Sequence, residues 1–322
     1  KQIGTVLTHG TQRQLDQLRD KVTLFLREQR DMIFYTAEDS HGGTMLCAAT
    51  PNLTNQLRQT LWRQQKPMIL TSGTLAVGED FRRFKEATGL LTDSRVRESV
   101  SPSPFAYSKN CLLYVSRLPA HQDTGQYYDS LAGEIAALLD AAHGHALVLF
   151  TSYAAMSAVK ERLREKELAY PLFTLGRNAV HTTKQFKSTP GGVLLATGAA
   201  WEGFDFPGDC VSLLVIPKLP FPIPDALKEK EREQYPTLHA FLRCVVVPEM
   251  QIKLKQGFGR AIRLETDTCV VAILDERAAR DQRYWKDVLA ALPEMPVTQD
   301  IHQVEAFIRG VKPDSYFREG AA

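Results

Sequence analysis

The sequence predicts an α/β fold in which a parallel sheet carries helices on both faces. Three observations lead there. From Cys111 onward short apolar runs alternate with helical periods. Those runs are continuously apolar, as strands buried on both faces are. The segments just past several run ends hold glycine, hydroxyl and charged residues, where open parallel sheets bind ligands.

Taken in order, Leu15, Leu18, Val22 and Leu26 recur at helical spacing between Thr11 and Gln29, giving an amphipathic helix that needs a partner. Strands are expected at Met32 to Thr36 and Met45 to Ala49, a helix at Asn55 to Gln64, and a short strand at Met68 to Thr71. A helix follows from about Glu79 to Thr88. The polar stretch Thr92 to Lys109, with Pro102 and Pro104, reads as a linker. The alternating region then gives strands Cys111 to Ser116, Ala146 to Phe150, Val193 to Ala196, Val211 to Ile216 and Cys269 to Leu274. Its helices are expected at Gly125 to Ala142, Tyr153 to Glu167 and Met250 to Arg263. The run Lys228 to Arg232 reads as a solvated helix face. After Pro293 only Val304 to Ile308 shows an amphipathic period, and the rest reads as a tail.

Composition narrows the function classes. With 322 residues, 44% of them hydrophobic, the chain can bury one large core or two moderate ones. A net charge of +2 is too small to imply nucleic acid, so any such site rests on local placement of groups. The five cysteines are scattered and form no C-x-x-C pair, which signals neither zinc nor an iron–sulfur cluster. His143 and His145 flank Gly144 without an acidic or cysteine partner at ligand spacing, so no metal is assigned. No secretory leader and no bilayer-length apolar stretch are seen, and a cytoplasmic protein with no membrane partner is expected.

Four stretches carry candidate chemistry. In Pro248 to Arg263, a helix puts Leu254, Phe258 and Ala261 on one side and Gln256, Arg260 and Arg263 on the other. Gly257 and Gly259 within it each cost about 1 kcal/mol relative to alanine, which points to a close neighbour or an approaching ligand. Arginine suits phosphoryl oxygens because its planar fork stays charged and donates in pairs, so this stripe is a candidate clamp on a γ-phosphate. In Thr197 to Gly208, Gly198 and Gly203 let backbone N–H groups approach a phosphodiester, while Glu202 and Asp205 can bond arginines or nucleotide hydroxyls. Trp201 or Phe204 either stacks on a base or packs in the core. Ser152, after Phe150 and Thr151, either caps a helix or presents its hydroxyl to a phosphate. Thr71, Ser72 and Thr74 around Gly73 form either a helix-capping turn or a loop that hydrogen-bonds a ligand.

These stretches resemble the motifs of superfamily 2 helicases. QGFGRAIR (Gln256 to Arg263) is similar to motif VI, and with LDER (Leu274 to Arg277) it resembles the DinG/XPD-like branch. WEGFDFPG (Trp201 to Gly208) with KLPFPIPD (Lys218 to Asp225) resembles motif V of that branch, FTSY (Phe150 to Tyr153) motif IV, and TSGTL (Thr71 to Leu75) motif III. The GFG piece lacks the preceding strand and third glycine of a dinucleotide site, so a Rossmann-type transferase is disfavoured.

The resemblance implies a RecA-like second motor domain at 93–295, a tail at 296–322, and at 1–92 the end of an inserted helical domain with the last part of the first motor domain. It also implies an ATP-dependent DNA helicase working 5′ to 3′ on single-stranded or forked DNA. Arg260, Arg263 and Gln256 would act on the γ-phosphate, and Gly203, Asp205, Glu202 and Gly259 would line the ATP side. Thr71, Ser72, Thr74, Thr151, Ser152, Thr197, Gly198 and Trp201 would face DNA. No G-x-x-x-x-G-K-[ST] and no DEAH-type box occur, so ATP and Mg²⁺ are expected to bind mainly to an N-terminal motor half outside this sequence. An iron–sulfur cluster, where the family has one, belongs to that half, and the chain alone is expected to be inactive. The competing reading is a non-catalytic nucleic-acid-binding or regulatory module that keeps the second motor fold.

Overall fold

A computed structural model describes residues 9–27, 32–38, 42–50, 53–64, 66–119, 124–176, 178–206 and 208–318. Positions 28–29 of the first expected helix, Pro207 of the glycine-rich loop and 319–322 of the expected tail lie outside them. In chain order the elements begin α1 (His9–Leu26), β1 (Ile33–Glu38), β2 (Thr44–Ala49), α2 (Leu53–Thr60), α3 (Arg82–Thr88), α4 (Tyr107–Asn110) and β3 (Cys111–Val115). They continue α5 (Gly125–Ala141), β4 (Ala146–Leu149), α6 (Tyr153–Glu165), β5 (Leu172–Thr174), α7 (Ala179–Lys187), β6 (Val193–Ala196) and β7 (Leu213–Ile216). Last come α8 (Ala226–Arg232), α9 (Leu238–Phe241), α10 (Val247–Phe258), β8 (Cys269–Ile273), α11 (Trp285–Ala291), β9 (Val297–Thr298), α12 (Ile301–Val311) and α13 (Asp314–Arg318).

The contacts divide the chain into two units. One comprises Lys1–Ile69, Phe84–Val96 and Ile223–Arg243. Within it β1 and β2 pair antiparallel from Ile33↔Ala49 to Glu38↔Thr44. Trp62 Nε1 donates to the Thr88 carbonyl at 2.8 Å and Arg58 Nε to Gly89 at 3.1 Å, fastening the turn after α3 to the end of α2. Helix α8 begins at Asp225, which accepts from Lys228 N, and its mixed charges pair at i,i+3, as in Lys228–Glu231 and Lys230–Glu233.

The larger unit comprises Leu70–Arg83, Arg97–Pro222 and Cys244–Ala322. Its seven strands run in the order β5-β6-β4-β7-β8-β3-β9, every pairing parallel. Period-two alternation sends successive residues to opposite faces. Leu113, Leu147, Leu214 and Val271 join the core under α10 and α11, while Tyr114, Val148, Val215 and Ala272 join the core under α5, α6 and α12. The central strands β3, β4, β6, β7 and β8 are buried at every position. This is the helix-covered parallel sheet read from the sequence.

Several elements differ from expectation. Met68 to Thr71 forms no strand, and Ile69 is 93% exposed, because no neighbouring strand pairs with it among the described residues. The expected strand from Val211 starts only at Leu213, since Gly208–Val211 winds into a 3₁₀ turn. The expected helix to Arg263 ends at Phe258. Strand β5, helix α7, helix α11 and strand β9 were not foreseen. The stretch from 296, expected as a tail, adds β9 beside β3 and lays Val304 and Ile308 of α12 into the core.

Candidate functional site

Helix α10 organises the site. Pro248 in its first turn and Glu249 near its N-terminus suit helix initiation. Val247, Met250, Gln251, Leu254 and Phe258 bury one face at helical spacing. Gly259 ends the helix, and Arg260 N and Ala261 N continue as turns onto the carbonyls of Gly257 and Phe258. Asp267, itself buried, accepts from both Arg263 N and Leu264 N at 2.8 Å and fixes the loop that follows. Arg260 and Arg263 therefore sit on a tight turn beyond the helix, not on its face.

That turn brings the two arginines together. Arg260 Nη1 donates to the Phe204 carbonyl, and Arg263 Nη2 reaches the same oxygen at 3.4 Å. Arg263 Nε lies 2.9 Å from Asp205 Oδ1, but its N–H is not aimed at that oxygen, so the contact is charge attraction without a hydrogen bond. Asp205 is 67% exposed and Arg263 31%, and a pair so wetted contributes at most about 1 kcal/mol. Burial, and then the charge of Arg263, pull the Arg260 pKa below its ordinary value, while Asp205 and Glu202 work the other way. Two guanidiniums thus share one backbone carbonyl, with the exposed Asp205 paired loosely to Arg263 and Glu202 acting on Arg260 by its charge. A phosphoryl group can displace such contacts by offering more acceptor oxygens and more charge.

The loop they touch follows β6. Gly198 takes φ +60°, a left-handed conformation that favours glycine, and Ala199 O accepts from Gly203 N at 2.8 Å. Glu202 pairs with Lys253 of α10 at 2.7 Å. Trp201, expected as a possible DNA contact, corrects that expectation. It is 2% exposed, and its indole N–H is taken by the Phe150 carbonyl at 3.0 Å, so no base can reach its ring.

Gly257 explains the tryptophan's position. A Cβ at Gly257 would lie 2.7 and 2.9 Å from two ring carbons of Trp201. Gly257→Ala is expected to lower the melting temperature, because a clash of about 1–3 kcal/mol outweighs roughly 1 kcal/mol of helix propensity. An unchanged or raised melting temperature in a thermal scan would show that the ring does not require the glycine.

Strands β4 and β6 are neighbours, in register from Ala146↔Val193 to Leu149↔Ala196. Thr151 and Ser152 therefore leave the sheet beside Thr197 and Gly198. Ser152 Oγ accepts from Ala155 N at 3.2 Å and so caps α6. Thr197 is buried. Ser72 Oγ and Thr74 Oγ1 lie 3.2 Å apart, and Thr74 N donates to Ser72 Oγ, so the hydroxyls of that exposed turn bond one another.

Three further side chains shape the site. Asp275 is fully buried, pairs with Arg277 through both oxygens (2.9 and 2.7 Å) and accepts from Leu219 N at 2.9 Å. Arg277 in turn lies over the Phe221 ring. The LDER and KLPF stretches are thereby one structure, a link invisible at their separation in sequence. Lys253 is the second; its place three residues before Gln256 on one helix was the available signal. Asp267, after the arginines, is the third. Burial pushes the Cys210 thiol up to about 11 and Cys111 to about 12, which removes both from nucleophilic chemistry at neutral pH.

Fold and site together define a RecA-like α/β domain with paired arginines on the turn that follows helix α10, facing the loop after β6. Residues 135–295 match the helicase C-terminal domain family. The chain belongs to that family. It is 32% identical over 287 residues to a protein named ATP-dependent helicase DinG from Mycobacterium tuberculosis, covering 88% of this chain and 43% of that protein. It is 33% identical over 266 residues to ATP-dependent DNA helicase YoaA from Escherichia coli, covering 81% and 41%. A solved XPD helicase has the same fold at a TM-score of 0.60 and 19% identity, over 86% of this chain and 49% of that one. The chain thus spans less than half the length of these relatives. Among the described residues no helix is long and apolar enough to cross a membrane.

Proposed function

We propose that this chain supplies the second motor domain of a DinG-like ATP-dependent DNA helicase that translocates 5′ to 3′ along one strand, with boundaries near 93 and 295. Arg260 and Arg263 leave Phe204 and Asp205 to bind the γ-phosphate, and Gln256 reports its presence along α10. Glu202, Gly203, Asp205 and Gly259 face the nucleotide. Thr151, Ser152 and Gly198 meet the backbone of single-stranded or forked DNA, with the buried Thr197 beneath them and out of its reach, and Thr71, Ser72 and Thr74 relay between the two ligands. Trp201 supports this set from the core. ATP with Mg²⁺ is held mainly by the other motor half, which also carries any iron–sulfur cluster. We place the intact protein in the cytoplasm.

The supporting observation is the convergence of two half-buried guanidiniums on one carbonyl, opposed by a loosely held, exposed carboxylate. Ground-state contacts this weak let nucleotide bias one conformation over another, which any motor needs. The test is ATP hydrolysis by the intact protein with and without single-stranded DNA. Stimulation by DNA is expected. Turnover indifferent to DNA, or none at all, would favour a non-catalytic module instead.

A further inference from the structure

The stretch carrying TSGT has no regular secondary structure among the described residues. Residues 66–76 form no helix or strand, Thr71 to Gly73 are exposed, and Ala76 is the one buried residue among them. Two polar contacts fasten the segment and the start of α3, which follows it, to α10. Arg83 Nη2 meets Glu249 Oε1 at 2.5 Å, with the two side chains only 18% and 25% exposed. Lys255 Nζ donates to the Ala76 carbonyl at 3.3 Å. Burial lowers the Lys255 pKa, consistent with an ammonium drawn out of water to make that contact.

Their placement on α10 gives them a mechanical meaning. Glu249 and Gln256 are seven residues apart, two turns along one face and about 10 Å in rise. The helix between them is packed on the sheet by its buried face and tied to α11 by Gln251 Nε2, which donates to the Asp287 carbonyl at 2.8 Å. The arginine turn, α10 and the sheet therefore move as one body, and its displacement is felt by the TSGT segment through these contacts and not absorbed by a loop.

We propose that Arg83, Glu249 and Lys255 are positioning residues that fasten the TSGT segment, and the first turn of α3 after it, to the arginine-bearing helix, so that DNA on one end changes nucleotide turnover at the other. This rests on the helicase reading above. None of the three touches either ligand, so their loss leaves turnover without DNA in place and removes its stimulation.

The experiment uses the intact protein and measures ATP turnover and KM for ATP with and without an oligothymidine. Arg83→Glu and Glu249→Arg each keep DNA-free turnover and KM, and each lose most of the stimulation. The double exchange R83E/E249R rebuilds the pair with reversed polarity and recovers stimulation, which a merely structural defect would not do. Lys255→Met, which keeps the stem and removes the donor, shows the same selective loss and serves if the exchanges do not fold. Full stimulation in all single variants would overturn the coupling while leaving the helicase reading intact. So would a folded double exchange no better than its parents. A wild-type protein without stimulation would overturn that reading, and the coupling with it.

Discussion

Arg260→Ala in the intact protein is expected to lower DNA-stimulated ATP turnover by about 10³-fold or more, the range for an arginine that meets the transferring phosphoryl group. The size follows from where charge develops. The equatorial oxygens of the γ-phosphoryl group gain charge in the transition state, and a fixed guanidinium there acts without solvent having to reorganise. Arg260 suits the task because its turn follows directly from a buried helix end, and Phe258 and Ala261 on either side are themselves buried. Its side chain contributes little to the fold, since its partners are the backbone carbonyls of Gln256 and Phe204. The variant should therefore melt close to wild type while failing in turnover. Arg260→Lys should recover little, because an ammonium cannot reproduce the planar fork. Near-normal turnover in the alanine variant, measured by phosphate release, would remove the finger assignment.

The second large effect is on stability. Asp275→Ala is expected to destabilise the larger unit by about 3 kcal/mol, toward the low end for breaking a buried pair because Arg277 is 30% exposed. Three groups lose their acceptor together: the Arg277 guanidinium, the Arg277 N–H and the Leu219 N–H. The first keeps a charge with no counter-ion beside the Phe221 ring, and the last is a buried backbone donor left without a partner. A fall in melting temperature of roughly 10 °C is the expected reading for a domain of this size. Phe221 also packs on Tyr284 with ring centroids 4.8 Å apart, so loosening should reach the KLPF stretch first. Faster amide exchange at Leu219 and Phe221 than in the central strands would report it. A melting curve superimposable on wild type would mean the pair is dispensable.

The parallel sheet was legible because its central strands are buried on both faces and announce themselves as unbroken apolar runs, such as Leu213 to Ile216 and Cys269 to Ile273. Strand β9, two residues long, offers no period to detect. Met68 to Thr71 misled for the converse reason: it has a strand's composition, but a strand needs a neighbour. At the site, residue type marked Arg260, Arg263 and Asp205, and the structure brings them into contact. Extending the helical wheel past Phe258 put the arginines on a helix face, when Gly259 and the turns after it redirect both onto the Phe204 carbonyl. Trp201 was ambiguous in sequence, since an aromatic among glycines suits a stacking platform and a core plug equally. Its contact with Gly257, more than fifty residues away, decides for the core. Asp275 gave no sign of its partner Leu219, because hydrogen bonds across a fold leave no periodic trace.

The decisive measurement is a structure of the intact protein bound to ADP and aluminium fluoride, a mimic of the transferring phosphoryl group. Arg260 and Arg263 should then have left Phe204 and Asp205, with their guanidinium nitrogens about 3 Å from the fluoride ligands. Both side chains still seated on that carbonyl and carboxylate, with the nucleotide in place, would contradict the assignment of these arginines to ATP.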